Sequence, residues 1–213
     1  MTNTKSSLYK WAVALALITI FYNLAEGFVS VILGMEDETL ALFGFGLDSF
    51  VEVLSGIGIL HMVLRLIKQG DEKRDTFERT ALRITGTAFY LLTAGLVVTA
   101  AINIYTGHAP ETTFWGIVIS AISITTMKFL IHYKIKVGTA LNSQAIISDA
   151  NCTKTCYYLS IVLLISSGLY ELTGIGYIDS AGAMVISYYA FKEGREAFQK
   201  AKSDDLCCDH DCS

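Results

Sequence analysis

One proline, Pro110, stands in 213 residues, and charged side chains make up only 17% of the chain. No convincing internal repeat is present. No cleavable signal is evident either, because the first apolar run is too long for a signal h-region and no small-residue cleavage pattern follows it. These absences leave little chain for a separate soluble domain. What fills the sequence instead is apolar: 53% of the residues are hydrophobic, and mean hydropathy is +0.48. That is a membrane profile. Six stretches, at about 11–33, 40–64, 81–104, 114–135, 144–170 and 175–191, are long enough to cross roughly 30 Å of hydrocarbon. The expected fold is all-α, a polytopic membrane protein built as a six-transmembrane-helix bundle. Residues 1–7 form an N-terminal tail, 8–202 the transmembrane domain and 203–213 a second tail.

Lysine and arginine are missing from three of the connections. The segments after spans one, three and five hold Glu36, Asp37 and Glu38, then His108 and Glu111, then Glu171, and no basic residue. The cations fall on the other side: Lys5 and Lys10, Arg65, Lys68, Lys73, Arg74 and Arg79, Lys134 and Lys136, and Lys192, Arg195, Lys200 and Lys202. The positive-inside rule then puts both termini in the cytoplasm, at the inner membrane of a cell. The net charge of −4 says little about partners, since the two faces carry opposite biases, and no nucleic acid is expected among them. Five cysteines with none predicted outside fit a reducing compartment better than a disulfide scaffold.

Two polar interruptions stand out against this background. Asp48 and Glu52 lie four residues apart in the second span, and Cys152 and Cys156 four apart in the fifth. At that spacing both side chains of a pair leave the same face of a helix. Carboxyl and thiol groups at membrane depth are costly unless compensated, and a divalent metal ion would compensate all four. Counting from the outer end of each span, Asp48 and Glu52 lie roughly 12–18 Å deep and the cysteines roughly 20–27 Å. The pairs could therefore meet near the midplane. Span five is the least apolar, and Asp149 extends its cysteine stripe one turn towards the cytoplasm. The blander readings are a polar pair bonded to neighbouring helices for the acids, and small core filler for the cysteines. Asp149 and Lys128 are candidates for the entry path or for offsetting charge beside the ligands. Asn23 and Glu26 add polar groups to span one. Cys207, Cys208, His210 and Cys212, within SDDLCCDHDCS, are dense enough to capture a thiophilic ion weakly.

These residues resemble the cation diffusion facilitator family of metal cation/proton antiporters. TLALFGFGLDSFVEVLSGIGIL is similar to the family's second helix, with Asp48 and Glu52 at its ligand positions. KVGTALNSQAIISDANCTKTC is similar to the entry to its fifth, with Cys152 where the family has His and Cys156 where it has Asp. Asp179 and GREAFQKA resemble the sixth helix and its exit. The resemblance runs from about Trp11 to Ala201 and implies a transporter rather than an enzyme, with a homodimer as the family's usual state. It departs from the family in having no histidine-rich insert before span five. SDDLCCDHDCS also stands where a soluble domain usually follows.

The expected activity is proton-coupled efflux of a soft divalent cation, with metal and proton as substrates and no resident cofactor. Desolvation disfavours the charged forms of carboxyl and thiol, so metal and protons compete for the site. Four ionised ligands around a divalent ion would leave a charge of −2, so a protonated carboxyl, an open coordination position or a nearby cation such as Lys128 must help. Thiols in place of His and Asp shift preference towards zinc, with cadmium or another soft ion as runner-up. Two other classes stay open: a membrane thiol-disulfide oxidoreductase using Cys152 and Cys156, and a metal sensor that does not transport. The first would strain a disulfide within one helix and leave the acids idle.

Overall fold

A computed structural model describes residues 3–69 and 76–203. It is all-helical over the described residues: α1 Asn3–Glu36, α2 Leu40–Gln69, α3 Thr76–Thr106, α4 Phe114–Leu141, α5 Gln144–Thr173 and α6 Tyr177–Lys202. The closest pairs are α1 with α2, α3 with α6, and α4 with α5. Helix α2 also packs on α3, α5 and α6, so it reaches most of the bundle. Each helix contains nearly all of one expected span. Most run further at the face rich in Lys and Arg, since hydropathy marks where lipid ends and not where hydrogen bonding does.

Five helices, α1 to α5, are long and apolar enough to cross a membrane. Helix α6 is more polar because its second half reads KEGREAFQKAK. Its first half still has the inside-out pattern of the other helices. Ala183, Ile186 and Ala190 are buried, while Tyr177, Met184, Val185, Tyr188 and Phe191 are exposed. Large apolar side chains face outwards across the bundle, among them Phe21, Phe28, Leu91, Ile122 and Phe129. Small polar ones such as Ser30, Ser123 and Ser160 are buried. That inversion suits a lipid surround, where small residues let helices approach and hydroxyls bond within the bundle.

In the α1–α2 hairpin it is the two backbones that approach closely. A Cβ at Gly34 would sit 2.6 Å from the backbone nitrogen of Phe43, and one at Gly46 2.8 Å from that of Val31. Any larger residue there would push the two backbones apart.

The acid-bearing face is stitched across its loops. Glu111 N–H donates to Asp37 O (3.0 Å), and Thr39 Oγ1 to Thr112 O (3.0 Å). His108 Nε2 pairs with Glu38 Oε2 at 3.1 Å. The Glu171 carboxylate accepts from Thr112 Oγ1 (2.7 Å) and Thr113 N–H (2.5 Å), and Tyr170 donates to Pro110 O. Asp179 at the start of α6 caps α2, accepting from Leu40 N–H (2.8 Å) and Ala41 N–H (3.2 Å). Helix starts leave such amides unpaired, and here another helix satisfies them.

Candidate metal centre

Glu52 is the meeting point of three helices. From α1, Asn23 Nδ2 donates to Glu52 Oε2 at 3.0 Å. From α5, Cys156 Sγ–H donates to the same oxygen. Asp48 lies one turn away on the same face of α2, 2% exposed, with its Oδ1 buried and without a hydrogen-bond partner. Cys156 is 4% exposed. The bundle therefore holds at mid-depth a carboxylate, a thiol in contact with it, and a second carboxyl with acceptor capacity to spare.

Cys152 does not join them. Its thiol accepts from Lys200 Nζ of α6 at 3.7 Å. Among the described residues, no three His, Cys, Asp or Glu side chains converge closely enough to hold an ion. Helices α2 and α5 are staggered: Glu52 and Cys156 come level, Asp48 lies nearer the acidic face and Cys152 nearer the basic one. The offset matches the depth count, in which the cysteines lie below the acids. The result is a ladder of candidate ligands rather than a closed shell.

Asp149, the next rung down α5, is engaged by Lys134. Lys134 Nζ lies 2.9 Å from Asp149 Oδ1 and 2.9 Å from Thr153 Oγ1, and the lysine is fully buried. Lys128, the cation considered from sequence, is exposed on α4. The charge beside the ladder thus comes from a different lysine. Cys207, Cys208, His210 and Cys212 lie outside the described residues.

Three further groups belong to the surroundings. Glu26 is buried, accepting from Tyr22 OH (2.8 Å) and from Ser49 Oγ (3.2 Å), the neighbour of Asp48. Ser160 donates to Ser123 Oγ at 2.8 Å and joins α5 to α4. Glu193 of α6 accepts from Thr155 Oγ1 at 2.8 Å, beside Cys156 in the chain. Glu26 and Asn23 were visible in the sequence as polar residues inside an apolar run. Glu193 and Lys134 were not, because each looked like an end residue in water. A cavity of about 730 Å³ between α2 and α3 is lined by residues such as Phe43, Phe50 and Leu92 and touches none of the candidate ligands.

A helical bundle with apolar side chains outside, and carboxyl and thiol groups inside at mid-depth, is an integral, multi-pass membrane protein. Residues 12–204 match the model of the cation efflux transmembrane domain, and the chain belongs to that family. It is similar to an uncharacterized transporter, MJ0449, of Methanocaldococcus jannaschii, with 24% identity over 176 residues. That match covers 80% of this chain but only 62% of the relative's length.

Proposed function

We propose that this chain moves a soft divalent cation, zinc first and cadmium second, out of the cytoplasm in exchange for protons. The observation that carries the reading is the contact of Cys156 with Glu52 at the crossing of α1, α2 and α5, one turn from Asp48 and its unpartnered oxygen. The metal is the substrate. It displaces the thiol proton of Cys156 and sits between that sulfur and the Glu52 carboxylate, and Asp48 becomes a third donor once a small shift of α2 brings it within reach. Cys152 supplies a fourth when α5 slides or turns to bring it level. Sulfur donors favour zinc and cadmium over manganese or magnesium. Displaced protons are the currency of exchange, since ligand protonation and metal occupancy oppose each other. Membership of the cation efflux family and likeness to an archaeal transporter support transport in general. A homodimer is the expected assembly, and the tail cysteines with His210 are expected to gather metal at the cytoplasmic mouth.

The test is flux into sealed proteoliposomes for zinc, cadmium, cobalt, nickel, iron and manganese, with and without a pH gradient. Zinc or cadmium uptake that rises with an opposing proton gradient is the expected result. Binding without flux would replace the transporter by a sensor. A thiol redox change without flux would favour the oxidoreductase, for which both described cysteines are at least free.

A further inference from the structure

Lys134 is an expensive residue to place where it is. Its side chain is fully buried in a bundle that lipid surrounds, between α4 and α5. A buried ammonium persists only when an anion and further acceptors compensate it. Here Asp149 Oδ1 and Thr153 Oγ1 do so, both at 2.9 Å. Asp149 is on the face of α5 that also carries Cys152 and Cys156, three residues before Cys152. Without Lys134, that carboxylate would be a hard oxygen donor one helical turn from an ion held by Cys152.

We propose that Lys134 is a selectivity-setting residue, a tethered cation that occupies Asp149 and withholds its oxygen from the transported ion. This deepens the reading of the site as a soft-metal centre and rests on it. Two consequences follow from the geometry. The ladder reaching an ion from the basic face begins with sulfur, at Cys152, instead of with a carboxylate. The lysine also cancels one negative charge in a region that already holds Glu52 and Asp48, which reduces the attraction for any divalent ion regardless of softness. An ion that gains from sulfur then wins over one that needs oxygen.

The test is competition binding of cadmium against manganese to purified full chain in detergent, with folding checked by gel filtration and circular dichroism. Lys134→Met frees Asp149, and the manganese-to-cadmium affinity ratio is expected to rise about tenfold. Lys134→Arg keeps the charge and should keep the ratio low. Asp149→Asn leaves the ammonium without its anion, so cadmium should bind about tenfold more weakly by repulsion. The double variant Lys134→Met with Asp149→Asn has neither the free carboxylate nor the lone charge, and its ratio should return to that of the parent chain. A purely structural role would lower folded yield without moving the ratio. A folded Lys134→Met with the parent ratio overturns the proposal. If that variant does not fold, Asp149→Asn with unchanged cadmium affinity overturns it. A parent chain that binds neither ion overturns the soft-metal reading itself, and this inference with it.

Discussion

At the scale of single residues, the two candidate sulfur ligands differ in neighbours rather than in type. Cys156 touches Glu52, whereas Cys152 lies beside Lys200. Serine keeps the shape and the donor of a cysteine but removes the soft sulfur. Cys156→Ser should therefore weaken cadmium binding by about tenfold or more, and Cys152→Ser by less. Titration of both purified variants with cadmium checks this, and equal losses would mean that the contact with Glu52 does not mark the centre. Glu52→Gln should stop transport while the bundle still folds, because the amide keeps an acceptor for Asn23 but not the charge. That each pair shares one helix face was legible because four-residue spacing inside an apolar run survives any uncertainty in helix ends; that only Cys156 of the cysteines meets Glu52 was not. Lys134 was not legible. In one dimension it is one more cation at a basic face, and only the docking of α4 on α5 turns it inwards. Lys128 fails the opposite way: it lies deeper along the span, yet on the exposed side of α4.

At the scale of elements, hydropathy located all six helices and fell short of their ends. Polar turns at the basic face continue the same hydrogen-bonded helix past the lipid, as α3 does from Thr76 to the expected start near Ala81. Packing distances were invisible in the sequence, though glycine hinted at them. Two glycines make the contrast measurable. Alanine in a helix gains about 1 kcal/mol over glycine in local preference. At Gly95 nothing lies within 4 Å of a new Cβ, so Gly95→Ala should hold or raise stability. At Gly34 the new Cβ would sit 2.6 Å from the Phe43 backbone, which cannot rotate away. Overpacking of that kind costs about 1–3 kcal/mol, so it outweighs the gain and Gly34→Ala should lower stability. Thermal unfolding in detergent decides it. A Gly34→Ala chain as stable as the parent would mean that α1 and α2 do not pack at this distance.

At the scale of the molecule, the two faces are held differently. On the acidic face the α1–α2 loop, the α3–α4 loop, the end of α5 and the start of α6 are joined by backbone and carboxylate hydrogen bonds. On the basic face arginine side chains make the joins: the buried Arg65–Glu78 pair at 2.9 Å links α2 to α3, and Arg79 Nη1 donates to Ala201 O at 3.4 Å, linking α3 to α6. Helix bundles that transport do so by rocking their parts around a fixed site, so bonds that join helices at one face oppose its opening. The acidic-face bonds, those of Asp179 to α2 among them, are expected to hold that face shut. Cys156 reports on this, being free and 4% exposed. In a background with Cys207, Cys208 and Cys212 changed to serine, an impermeant thiol reagent added at the acidic face should label Cys156 slowly. Asp179→Ala removes the acceptor of the Leu40 and Ala41 amides, and losing hydrogen bonds to a charged group costs about 1.5–3 kcal/mol. That is enough to change the ratio of closed to open molecules more than tenfold. Labelling from the acidic face should speed up accordingly in Asp179→Ala, and labelling of Cys152 from the basic face should slow. If the variant folds and both rates match those of the parent, Asp179 does not hold the acidic face shut.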